Sequence, residues 1–203
     1  MLTDKEWSVA KPNFSETLKE KLGADTLYNH GINGVSISSI SPVNTEYNMS
    51  KMADKYEDLD KGDFLIIAGG TNDQQCGVPL GNPEDKTDVS FYGAVYIMFS
   101  KISEKYKSKG VNVFVSLPVD KLHPEPSGEG SDLESYRLAL ENRAKIFGFT
   151  VLNTRNLDFN PKSEDWRKRF MPDGLHPNNE GHALYGDFLY DEIIKSGSDK
   201  YEN

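Results

Sequence analysis

The stretch Phe64-Leu65-Ile66-Ile67-Ala68-Gly69-Gly70-Thr71-Asn72-Asp73 decides the fold. Five apolar residues in a row, stopped by two glycines, predict a strand buried on both faces. Working outward, the same rhythm recurs. Phe91 to Tyr106 reads as a long helix ending near Gly110, and Val111-Asn112-Val113-Phe114-Val115 as the next strand, ended by Pro118. Leu133 to Phe147 reads as a helix stopped by Gly148, and Phe149-Thr150-Val151-Leu152 as another strand. Asn178 to Ser196 forms the last helix. On the other side, Pro12 opens a helix with Phe14, Leu18 and Leu22 on one face, stopped by Gly23. Thr26-Leu27-Tyr28-Asn29 is a short strand candidate. Strands alternating with helices imply βαβ units and a parallel sheet covered on both faces, a three-layer α/β/α arrangement. One domain over 1–197 with a polar tail over 198–203 is expected.

Composition narrows the function. Lys and Arg total 23 against 32 Asp and Glu, a net charge of −9. That balance argues against a phosphate-backbone binder, so no nucleic-acid partner is expected. Apolar residues make up 36% of the chain, enough for a core, yet no run approaches the roughly 20 residues of a membrane span. One cysteine, Cys76, excludes an intrachain disulfide framework and a multi-cysteine metal site. The histidines show no metal-ligand spacing, so no metal and no cofactor are expected. Met1 to Trp7 lacks an apolar leader core. The cytoplasm is therefore the default compartment, and the true N-terminus leaves it open.

Ligands of open parallel sheets bind beyond the carboxyl ends of the strands. Three polar clusters fall there. Pro172-Asp173-Gly174-Leu175-His176-Pro177-Asn178 precedes the last helix. A carboxylate three residues before a histidine, on a loop stiffened by prolines, can hold Nδ1–H and leave Nε2 as a general base. The same residues also fit a plain Asp-Gly turn into a capped helix. Gly69-Gly70-Thr71-Asn72-Asp73 lets backbone approach a ligand and offers the Asn72 amide to an oxyanion; it equally fits a turn with an Asx cap. Asn29-His30-Gly31-Ile32-Asn33-Gly34-Val35-Ser36 could present the Gly34 N–H, or be a glycine turn.

Together the three clusters resemble the SGNH hydrolases, the GDSL esterase/lipase family. Asn33-Gly34 matches the family's second block, Gly70-Thr71-Asn72-Asp73 its third, and Asp173-Gly174-Leu175-His176-Pro177 its fifth. The resemblance implies a flavodoxin-like sheet in the order 2-1-3-4-5. It also implies His176 as general base, Asp173 as its orienting carboxylate, and Gly34 and Asn72 as oxyanion-hole donors. The family's nucleophile is the serine of a Gly-Asp-Ser block after the first strand. Here Leu2-Thr3 matches the residues that follow that serine, which sets Met1 at its position. The first strand and the nucleophile are thus expected to be missing from this chain. Ser8, Ser36, Ser38 and Ser39 are the substitutes to consider, and none follows a strand-to-helix elbow.

The function implied is hydrolysis of an acyl or acetyl ester, on a small molecule or a glycan. The alternative is an inactive relative that binds carbohydrate or a partner. Among the remaining histidines, His30 and His123 read as loop residues and His182 as a helix residue that faces solvent or packs. Trp7, Tyr92 and Tyr96 read as core, and Trp166-Arg167-Lys168-Arg169 as a solvated helix face.

Overall fold

The computed structural model describes residues 12–43, 46–56, 61–126, 128 and 130–197. Met1, Trp7, Ser8 and the tail over 198–203 lie outside the described residues. The elements are α1 (Phe14–Lys21), α2 (Met49–Met52), β1 (Phe64–Ala68), α3 (Thr71–Gln75), α4 (Phe91–Lys105), β2 (Asn112–Ser116), α5 (Leu133–Phe147), β3 (Thr150–Leu152), α6 (Glu164–Phe170) and α7 (Asn179–Lys195). The chain divides into two compact units. One holds residues 1–29, 119–123 and 153–203; the other holds 30–118 and 124–152.

The second unit carries the sheet. β1 and β2 run parallel with Phe64 beside Asn112 and Ala68 beside Ser116, and β2 and β3 run parallel with Phe114 beside Thr150. The order is β1-β2-β3, and helices flank the sheet. The α/β class and the parallel pairing are as expected. Side chains alternate across the sheet. Leu65, Ile67, Val113 and Val115 face a core with Phe91, Val95, Phe99 and Ile102 of α4 and Tyr136, Leu140 and Ala144 of α5. Phe64 meets Phe114 edge-on, with ring centroids 6.1 Å apart, on the opposite face. Each fully buried aromatic such as Phe99 stabilises the fold by about 1.5–3 kcal/mol.

Helix ends follow the sequence. Ser90 accepts the N–H of Gly93 to start α4, and Asp132 accepts the N–H of Ser135 at 2.7 Å to start α5. Gly148, at φ +64°, ends α5 in the left-handed region.

In the first unit, Asn13 and Glu16 close a capping box around the start of α1. α1 packs on α7, burying Leu18 beside Tyr185, Leu189 and Ile193. Trp166-Arg167-Lys168-Arg169 does lie on a helix, α6, and Trp166 packs against Phe159 and Phe170.

The strand expected over Thr26–Asn29 is not formed. Those residues have no regular structure, and Leu27 and Tyr28 are exposed. A strand needs a neighbour for its backbone groups, and none of the described strands pairs with it. Among the described strands, β1 stands at one end of the order.

Candidate active site

The loop ahead of α7 is built by its own backbone. Gly174 takes φ +75°, which turns the chain sharply between Asp173 and His176. Its carbonyl accepts the N–H of Leu122 at 2.7 Å. Asn178 then bolts the exit: its N–H donates to Phe170 O, its amide donates to Arg169 O, and its Oδ1 accepts Gly181 N–H as the cap of α7. Between these anchors, Asp173 Oδ2 lies 2.8 Å from His176 Nδ1. Asp173 Oδ1 accepts the N–H of Leu175 at 3.0 Å and of His176 at 2.8 Å. Partial burial pushes the Asp173 carboxyl up. The hydrogen bonds from the His176 ring, the His176 N–H and the Leu175 N–H outweigh it and hold the group below the usual carboxylate range. An ionised carboxylate on Nδ1 fixes the tautomer with Nε2 unprotonated, the form a general base requires.

A second arrangement lies in the other unit. Gly34, at φ +72°, sits in a turn closed by Val35 N–H donating to Ile32 O at 3.2 Å. The Asn72 amide donates to Val35 O at 2.8 Å. An amide nitrogen has two protons, so this bond aims the group and leaves one donor over. Asn72 stands in the first turn of α3, which begins at Gly70 with φ +103°. A side chain there would be strained, and Phe91, Leu140 and Pro118 lie 3.3–3.4 Å from where its Cβ would fall. The pair Gly69-Gly70 therefore opens a helical turn rather than an Asx-capped loop.

Asp73, the next residue of α3, has no exposed surface. Its carboxylate accepts Ile37 N–H and Ser38 N–H, both at 2.8 Å. Burial pushes its pKa up to about 6 against the pull of those two donors, and the charge of Asp88 adds to the rise.

The family model for GDSL-like lipases and acylhydrolases matches residues 3–184. The chain belongs to that family. No curated protein matches it. Solved structures share this GDSL fold. A protein from Lactobacillus plantarum is 21% identical, with a TM-score of 0.78 over 92% of this chain and 89% of that one. A possible lipase from Chitinophaga pinensis is 18% identical, with a TM-score of 0.65 over 96% and 92%. A lipase/acylhydrolase from Enterococcus faecalis is 17% identical, with a TM-score of 0.60 over 92% and 87%.

Of the serines of this GDSL chain weighed as substitutes, Ser36, Ser38 and Ser39 lie among the described residues and have structural partners. Ser36 is buried and its hydroxyl donates to that of Ser41 at 2.8 Å. The Ser38 hydroxyl donates to Asp88 at 2.9 Å, and Ser39 N–H donates to the same carboxylate at 3.1 Å. His30 stacks on Tyr56, with ring centroids 4.1 Å apart. His182 packs, stacked on Phe14 at 6.0 Å, and its buried Nδ1 has no hydrogen-bond partner. Burial pushes its pKa down to about 4, with the charge of His176 adding to the fall. Tyr92 is buried and Tyr96 half-buried, and the Arg143 guanidinium lies 5.5 and 5.2 Å from their ring centroids. Among the described residues, no helix is long and apolar enough to cross a membrane. No group of three or more His, Cys, Asp or Glu could hold a metal ion there either.

Proposed function

We propose that this GDSL-family hydrolase is a serine carboxylic ester hydrolase in which His176 is the general base, Asp173 orients it, and Gly34 and Asn72 stabilise the oxyanion. The nucleophile is the serine of a Gly-Asp-Ser block that precedes residue 1, on a strand that pairs with the outer edge of β1. The observation that carries the reading is the 2.8 Å contact between Asp173 Oδ2 and His176 Nδ1, on a loop fixed at both ends. The partnered state of Ser36 and Ser38 supports the upstream serine.

The chemistry is acyl transfer to water. His176 Nε2 takes the proton as the serine oxygen bonds to the ester carbonyl carbon. The carbonyl oxygen becomes an oxyanion, held by Gly34 N–H and the remaining Asn72 amide proton. As the tetrahedral intermediate collapses, His176 gives its proton to the departing alcohol. Water then repeats the sequence on the acyl-enzyme and frees the acid. Short acyl groups on small molecules or carbohydrate are the substrates we favour, since the loops carrying these residues are polar.

The test compares two proteins on 4-nitrophenyl acetate. The 203-residue chain should turn over little or not at all, and the chain extended by the upstream coding sequence should be active. Extension should also raise the melting temperature, because a paired strand buries several apolar side chains at about 1.5–3 kcal/mol each. Turnover by the 203-residue chain that one Ser→Ala change abolishes would place the nucleophile elsewhere. A stop codon directly upstream would favour the inactive binding relative.

A further inference from the structure

The segment over 35–39 is irregular yet buried: Ser36, Ile37 and Ser38 have no exposed surface. Buried backbone without a ladder needs other partners. They come from four places. Asn72 donates to Val35 O, Met49 N–H to Ser36 O, Ser50 N–H to Ile37 O, and the Asn48 amide to Ser38 O at 2.8 Å. The donors of Ile37 and Ser38, however, both end on one group, the carboxylate of Asp73. Asp88 holds the far end through Ser38 Oγ, Ser39 N–H and Ser50 Oγ. Ile37 also packs where a Cβ on Gly69 would come within 3.2 Å of its Cγ1, so glycine there admits the segment against the end of β1.

We infer that Asp73 is a positioning residue for ester hydrolysis: by binding Ile37 and Ser38 N–H it fixes the segment that carries Gly34 and Val35 against the neighbouring Asn72, and so sets the spacing of the two oxyanion donors. This rests on the oxyanion roles proposed above for Gly34 and Asn72. Asp73 and Asn72 are adjacent on one helical turn, and both reach the same segment, one through its carboxylate and the other through its amide. Removing the carboxylate leaves the segment its Asn72 bond but takes away both acceptors of Ile37 and Ser38 N–H. An oxyanion hole acts through donors held at a fixed distance, so a loosened segment costs transition-state stabilisation more than substrate binding.

The test has two arms. In the 203-residue chain, Asp73→Asn should speed amide hydrogen exchange at Ile37 and Ser38 and broaden the Asn72 side-chain amide signal. The amides of Val113 to Val115 in β2 should stay protected. In the extended, active protein, Asp73→Asn should lower kcat by about 10–100-fold with KM within about twofold, while Asn72→Ala lowers kcat by about 10²–10³-fold. An unchanged Asn72 signal in Asp73→Asn overturns the inference. So does an unchanged kcat in Asp73→Asn where Asn72→Ala is impaired, which leaves the oxyanion reading standing. An unimpaired Asn72→Ala overturns the oxyanion reading itself and the positioning role with it.

Discussion

Asp173 grips His176 twice: Oδ2 meets the ring at Nδ1, and Oδ1 meets the backbone N–H, each at 2.8 Å. The ring is thereby fixed relative to its own main chain. This separates two effects of substitution. In the active, extended protein, His176→Ala removes the base and should cost several powers of ten in kcat, about as much as loss of the serine. Asp173→Asn keeps an oxygen for the backbone donors but offers the wrong partner to Nδ1. It should cost somewhat less than His176→Ala, with KM little changed. Steady-state kinetics on 4-nitrophenyl acetate checks both. His176→Ala with most activity retained would remove His176 from the mechanism.

Gly174 gives a second handle on the same loop. A Cβ there would lie 2.5 Å from Leu122 Cβ, and φ is +75°. Gly174→Ala therefore carries left-handed strain of about 1–2 kcal/mol in addition to the clash. It should lower both the unfolding midpoint and kcat. Adding Leu122→Ala leaves that Cβ contact and the dihedral strain in place, so the double variant should recover little of the loss. A Gly174→Ala protein with wild-type midpoint and kcat would show that the loop does not need this turn.

Much of this molecule is legible in its sequence because the signals are local. Phe64–Ala68 reads as a strand because five apolar residues meet two glycines. Asp173 and His176 read as a pair because three residues around a glycine turn bring the side chains together. What escapes is non-local. Asp73 finds its donors 35 and 36 residues away, and Asp88 finds Ser38 and Ser39 50 and 49 residues away, so no spacing rule points to either carboxylate. Thr26–Asn29 looks like a strand by composition, but strand formation depends on a neighbour, which a short window does not contain. His182 leaves solvent or packing equally open in the sequence, and Phe14, remote in sequence, decides for packing.

The α1–α7 contact makes a stability prediction of definite sign. Gly186 lies inside α7, where alanine is ordinarily better by about 1 kcal/mol. A Cβ at Gly186 would come within 2.8 Å of Thr17 Cβ and 3.0 Å of Phe14 O, the latter being backbone that cannot rotate away. The helices must separate, at a cost of about 1–3 kcal/mol. Gly186→Ala should therefore lower the urea midpoint with an unchanged slope. A raised midpoint would mean that propensity wins and the helices approach less closely.

Half-buried His182 and fully buried Asp73 titrate in opposite senses. His182 is pushed down to about 4, from an ordinary value of 6.5. Between those values the unfolded chain binds a proton that the folded one refuses, so His182 makes stability fall as pH drops from 6.5 to 4. Asp73 is pushed up to about 6, from 3.8. Between those values the folded chain holds a proton that the unfolded one has lost, so Asp73 makes stability rise over nearly the same interval. At about 1.36 kcal/mol per unit, each effect is on the order of 3 kcal/mol, and they oppose. The wild-type difference between pH 7 and pH 4.5 should thus be small from this pair. His182→Leu removes the falling term, so its stability relative to wild type should increase on acidification. Asp73→Asn removes the rising term and should lose relative stability over the same range. Urea denaturation at several pH values measures each difference curve, in which the other carboxylates cancel. A His182→Leu curve parallel to wild type would show that the His182 imidazole titrates alike in the folded and unfolded chain.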